Sequence, residues 1–254
     1  MNEQVQNMIL HRGAEIATRD QLELVKTPEA TNTWTPIPHT VLIDQVKAAL
    51  TTETIDVVAE QHALQGDGNN YFGILQVSNR SRQEDFAYVV GLRNSHVQRY
   101  PAGLVVGSRV FVCDNLAFSG EITVTRKHTR YIMRDLQGLV VRAVGFLAER
   151  WMDQETRIEA YKGFALTTLR AHDLIIGALD ARVITTTQVP RVLSEWREPR
   201  HPEFQDRNAW SFFNAVTEVL KEVSPFALPQ RTQALHGLLD NKTGLLDSLA
   251  GGRN

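Results

Sequence analysis

The feature that most constrains this chain is a change of hydrophobic period. Between residues 54 and 127 five short apolar runs follow one another, rich in Val, Ile, Phe and Tyr. They are Thr54–His62, Tyr71–Val77, Asp85–Leu92, Arg109–Cys113 and Gly120–Thr125. Turn-forming stretches such as Gln65–Asn70 and Ser78–Ser81 separate them. Parallel strands need crossovers of a dozen or more residues, and several of these links are too short to hold a helix. The runs therefore predict a largely antiparallel sheet over about residues 50–130.

On either side the period is helical. In Val41–Leu50 the apolar residues fall at 42, 43, 46, 49 and 50, one helical face, with Thr40 as the expected N-cap. After Arg130, Leu136–Lys162 reads as one long helix weakened by Gly138 and Gly145. Helices are also expected over Phe164–Leu179, Val189–Arg197, Asn208–Val223 and Gln230–Leu239. Strands followed by helices define an α+β protein with a mainly antiparallel central sheet and a predominantly helical C-terminal half. The expected organisation is an irregular segment over 1–38, one α+β domain over 39–245 (sheet-rich 54–130, helical 131–245) and a frayed tail over 246–254. Thr33-Trp34-Thr35-Pro36-Ile37-Pro38 closes the first segment, and its two prolines favour an extended path.

A chain of 254 residues with 43% hydrophobic side chains can bury a core without cross-links. The one cysteine, Cys113, rules out an internal disulfide and a multi-cysteine zinc site. The first residues lack a signal-peptide pattern, and no apolar run is long enough to span a bilayer, so a cytoplasmic protein is expected. A net charge of −2 argues against coating nucleic acid by bulk charge, yet leaves room for a local basic groove. Phosphate-loop, nucleophile-elbow and paired-histidine zinc motifs are all absent, so neither cofactor nor metal is expected.

Polar and reactive residues concentrate between residues 91 and 130. Asn94-Ser95-His96 follows the third run and reads either as a polar turn or as a ligand-facing loop. Cys113-Asp114-Asn115 closes the fourth; Cys113 is either a small buried hydrophobe or a nucleophile served by His96 or His128. Arg126-Lys127-His128-Thr129-Arg130 is the sharpest basic cluster. On a strand it would place Arg126, His128 and Arg130 on one face, where Arg93 and Arg99 could join them in tracking phosphates. Tyr88, Tyr100 and Tyr131 could supply stacking surface, or pack as ordinary core and rim. In the later helix, Asn214, Thr217 and Glu218 share a polar face beside the core stripe of Trp210, Phe213, Val216, Val219 and Leu220. That face is either a buried hydrogen-bond network or an edge that completes the site.

These motifs also carry a resemblance. Asn94-Ser95-His96, the run Arg109–Cys113 with Asp114-Asn115-Leu116, Arg126-Lys127-His128-Thr129 and the helix from Asn208 to Glu218 resemble the phage/plasmid-like protein family, defined as a domain of unknown function. The matching motifs span about residues 70–220. The resemblance implies a mobile-element context and no particular reaction. The chain departs from the family after His96, where Val97-Gln98-Arg99-Tyr100 replaces an acidic, small-residue turn.

Together these readings lead to an expectation of nucleic-acid binding, single-stranded for preference, in replication or recombination of mobile DNA. One alternative is a hydrolase or nuclease using His96, Cys113, Asp114 and His128. Another is an interaction module acting on a host factor or forming a homo-oligomer.

Overall fold

The computed structural model describes residues 14–78, 86–110, 116–123, 128–223 and 227–245. Its centre is a six-stranded sheet. The strands are β1 (Glu15–Ala17), β2 (Val57–Gln65), β3 (Asn70–Val77), β4 (Phe86–Ser95), β5 (Gly103–Val110) and β6 (Leu116–Thr123). They lie in sequence order, β1-β2-β3-β4-β5-β6, and every neighbouring pair is antiparallel. With the helical C-terminal half this is an α+β fold, as the change of period predicts.

Several boundaries differ from those read in the sequence. β1 and the short helix α1 (Arg19–Glu23) lie inside the segment expected to be irregular. Three residues carry too little pattern to announce a strand; β1 exists because Ile16 pairs with Ala63 of β2. β5 begins at Gly103, six residues before the expected strand start. Gly103 and Gly107 dilute its strand propensity, and pairing along β4 from Arg93 to Phe86 overrides that weakness. β4 continues through Ser95, so Asn94 and Ser95 end a strand and the turn follows them.

The helix α2 (His39–Thr52) buries the predicted face, Leu42, Ile43, Val46, Ala49 and Leu50. It begins at His39 behind Pro38, without the side-chain cap expected from Thr40. The C-terminal helices are α3 (Ile132–Gly145), α4 (Leu147–Gly163), α5 (Thr168–Asp180), α6 (Val189–Arg197), α7 (Ala209–Leu220) and α8 (Leu228–Thr243). The helix expected over 136–162 is thus two, parted between Gly145 and Leu147, where Gly145 offers least resistance to a break. α7, capped by the Asn208 side chain accepting from Ser211 N–H (2.9 Å), is buried on all sides and packs on α4, α6 and α8. α8 runs beside β6 and ends at Gly244 in the left-handed conformation.

One contiguous core joins sheet and helices, with Tyr71, Phe72, Tyr161, Phe212 and Phe213 its largest fully buried side chains. Tyr71 needs a glycine beside it. A Cβ at Gly73 would collide with the Tyr71 hydroxyl, which pairs with His62 Nδ1 at 3.0 Å. Among the described residues no helix is long and apolar enough to cross a membrane.

Candidate functional site

The candidate site forms where three distant segments meet. The first is the extended stretch before α2. A turn closes it at one end, with Thr31 N–H donating to the Trp34 carbonyl at 2.8 Å and Trp34 N–H to Thr31 Oγ1 at 3.1 Å. Thr35 N–H then donates to the His128 carbonyl (3.3 Å). Proline at 38 holds Ile37 extended, and Ile37 is fully buried. Its carbonyl accepts from Asn94 Nδ2 at 2.6 Å and from His96 Nε2 at 2.9 Å.

The second segment is the end of β4 and the turn after it. Ser95 Oγ donates to Asn70 Oδ1 (3.0 Å) and accepts from the N–H groups of Val97 and Arg99, 3.3 and 3.2 Å away. This local side-chain bonding shapes the turn. Gln98 follows in the left-handed region at φ 57°, a conformation most side chains avoid. The third segment is His128, whose Nε2 accepts from Ala102 N–H at 3.3 Å.

Between the three lies a cleft of about 560 Å³, walled by Thr33 and Trp34, by Gln98 to Pro101, and by His128. The volume falls in the range of small-ligand sites, about 300–1,000 Å³. Trp34 and His128 are parallel within 4°, their ring centres 6.2 Å apart. Arg93 reaches over the Tyr100 ring at 5.3 Å. Burial pushes the Tyr100 hydroxyl up, against the pull of Arg99 and Arg93, so it stays protonated. Arg99 stands exposed on the wall and Arg130 is exposed next to the Thr35–His128 contact, stacked on Tyr131 at 4.5 Å.

Behind the cleft sits a stack of two imidazoles. His39 and His96 lie 3.9 Å apart, parallel within 4°. His39 Nε2 donates to the Gly68 carbonyl (2.9 Å), and its Nδ1 accepts from Asn94 Nδ2 (2.9 Å). The asparagine therefore spends both amide protons, one on Ile37 and one on His39. Burial, with help from neighbouring His96, pushes His39 down to about 3, although its bond to Gly68 opposes this. Burial and His96 push His128 down to about 4. Burial also lowers His96, against its bond to Ile37. All three rings are neutral near pH 7.

The residues singled out in the sequence separate accordingly. Arg99, Tyr100 and His128 line the cleft, Arg93 reaches it only through its stack on the Tyr100 ring, and Asn94, Ser95 and His96 lie behind it. His128 is buried (4% exposed), lies outside any strand and carries no charge, so it is not a cation on a solvent-facing strand. The expected alternation through Arg130 fails as well, because Arg130 and Tyr131 form the turn into α3. Tyr88 is core: it stacks on Trp151 and its hydroxyl bonds Glu155. Cys113, Asp114, Asn115, Arg126 and Lys127 lie outside the described residues.

Asn214, Thr217 and Glu218 sit apart on α7. Asn214 Nδ2 donates to the Trp210 carbonyl (2.9 Å) and Thr217 Oγ1 to that of Phe213 (3.1 Å). Glu218 pairs with Arg200 (3.3 Å) and Lys221 (2.7 Å). Asn214 and Glu218 border a different, much smaller hollow beside Glu195 and Arg200.

Trp34 and His39 are the site residues that reading the sequence missed as functional. The signal within reach was an aromatic residue in a polar, proline-bearing stretch, followed by a histidine at the helix start. Among the described residues no group of three His, Cys, Asp or Glu side chains could hold a metal ion. Compared with known protein families, curated proteins and solved structures, the chain matches no family model, no protein and no structure.

Proposed function

We propose that this protein binds single-stranded nucleic acid in the Trp34–Tyr100 cleft, as a cytoplasmic component of a phage or plasmid element that works in replication or recombination. One observation carries the reading: two aromatic side chains and the exposed cation of Arg99 wall a single open cleft of about 560 Å³. Stacking surface beside backbone-tracking cations is the combination that sequence-tolerant single-strand binders use. Arg130 is exposed two residues after His128, and in the chain Arg126 and Lys127 immediately precede that histidine. A few cations gathered at one place suffice for a local phosphate track, whatever the net charge of −2. The resemblance in the Asn94–His96 and Arg126–Thr129 motifs supports the mobile-element context.

The test is a salt series of binding to labelled single- and double-stranded oligonucleotides. The expected result is preference for single strands and affinity that falls steeply with salt. Arg99→Ala and Arg130→Ala should each flatten the logarithmic salt slope, by about 0.7 for every phosphate that the variant no longer neutralises. Equal affinity of the double variant and the parent would overturn the reading.

A further inference from the structure

A neutral imidazole carries one proton, and its surroundings decide which nitrogen holds it. At His128, Nε2 faces the Ala102 backbone N–H, which can only donate. Nε2 is therefore the acceptor, and the proton sits on Nδ1. That Nδ1 is buried and has no hydrogen-bond partner among the described residues. A buried N–H without an acceptor is costly, and nearly all such groups in folded proteins are matched. The same ring lies parallel to Trp34 and forms part of the cleft wall.

The two histidines behind it are set the other way. Carbonyl oxygens only accept, so the bonds to Gly68 and Ile37 place the protons of His39 and His96 on Nε2. His96 Nδ1 and Asn94 Oδ1 are then buried acceptors, also unmatched among the described residues. His128 thus offers a donor where its neighbours His96 and Asn94 leave only acceptors.

The geometry points to His128 as the base-reading residue of the cleft: a base laid against Trp34 uncovers the buried edge of the His128 ring and presents a carbonyl oxygen or ring nitrogen to the Nδ1–H. This rests on the cleft's binding of single-stranded nucleic acid and adds to it the contact that recognises the base. The required ligand is a planar heterocycle with an acceptor on its edge, and a ring of equal shape without one should bind poorly. Because His128 is already neutral well below neutral pH, the contact does not titrate in the physiological range.

The experiment compares two oligomers of equal length and phosphate number. One is oligo-thymidylate; in the other each thymine is replaced by difluorotoluene, which keeps the shape and stacking of thymine but lacks its acceptor oxygens. The wild-type protein should bind the thymine oligomer about tenfold more tightly. His128→Gln, whose amide falls near the Nε2 position, should abolish that preference, so that the variant binds the two oligomers equally. His128→Asn, whose amide nitrogen falls near Nδ1, should restore much of it. Thermal unfolding of both variants identifies any loss that comes from misfolding, and the wild-type comparison needs no variant. Equal, tight binding of the two oligomers by the wild type would overturn the role of His128 and leave nucleic-acid binding standing. Binding of neither would remove nucleic-acid binding, and the base contact with it.

Discussion

Two buried polar clusters in this protein are built from similar residues and end differently. Between α4 and α8, Tyr161 donates to Asp240 (2.6 Å), and Arg157 grips the same carboxylate through Nε at 3.0 and 3.1 Å. Arg157 also bonds Gln154, and Gln154 bonds Ser108 of β5, so the chain of bonds runs from helix to sheet. The charged pair is satisfied from both sides, and among the described residues His236 Nε2 is the one atom of the cluster left unmatched. At the cleft, by contrast, His128 Nδ1 in the wall and Asn94 Oδ1 and His96 Nδ1 behind it all lack partners among the described residues. One cluster closes on itself and serves cohesion. The other borders an open cavity, with bonding capacity unspent where a ligand would arrive. A buried polar group therefore has to be judged by what remains after its partners are counted.

Breaking the closed cluster should produce the largest effect. Asp240→Ala leaves the part-buried Arg157 without its counter-charge, and the expected loss is about 3 kcal/mol in urea unfolding, the low end for breaking a buried pair. Nucleic-acid affinity per folded molecule should stay the same, since the cleft lies on other elements.

Acid should act on the histidines around the cleft. An unfolded chain protonates histidine near the ordinary value of 6.5, whereas the fold holds His39 near 3 and His128 near 4. Between these values the unfolded state binds more protons, so stability is full above about pH 6.5 and falls as pH drops towards the folded values. Each histidine kept neutral costs about 1.4 kcal/mol per pH unit in that window. Urea midpoints measured from pH 7.5 to 4.5 should fall steadily below pH 6.5. A Phe substitution at His39 should make the fall shallower.

Removing stacking surface separates binding from cohesion. Trp34→Ala should weaken oligonucleotide binding by about 1–3 kcal/mol, the worth of one stacked base. Trp34 is only half-buried, so the change in folding stability should be the smaller effect. The least change is expected from Gln98→Gly, which relieves a left-handed backbone and should raise stability by at most about 1 kcal/mol in the same assay.

The sheet was largely legible because β3 and β4 are dense in Val, Ile, Phe and Tyr, and because the links from β2 to β3 and from β3 to β4 are short. β1 and the first half of β5 were not. β1 is only three residues long, and in β5 Gly103 and Gly107 interrupt the Leu104–Val106 run, so each depends on pairing with its neighbour, which leaves no local pattern. The same distinction runs through the site. Arg99, Tyr100 and His128 lay in the stretch that looked functional from its polarity. Trp34 and His39 did not, because their contacts bridge large separations: His39 meets Asn94 across 55 residues, and Ile37 meets His96 across 59. The basic run misleads at His128 for a related reason. Its charge depends on burial and on His96, and neither is visible in Arg126-Lys127-His128-Thr129-Arg130.

The most direct test of the central claim is a fluorescence titration of the wild-type protein with a single-stranded oligonucleotide, at several salt concentrations, alongside Trp34→Ala. If the cleft binds nucleic acid, tryptophan emission is quenched on addition, the affinity falls as salt rises, and Trp34→Ala loses both the quench and most of the affinity. A protein that leaves the oligonucleotide unbound at low salt, or a Trp34→Ala variant that binds as tightly as the parent, would contradict it.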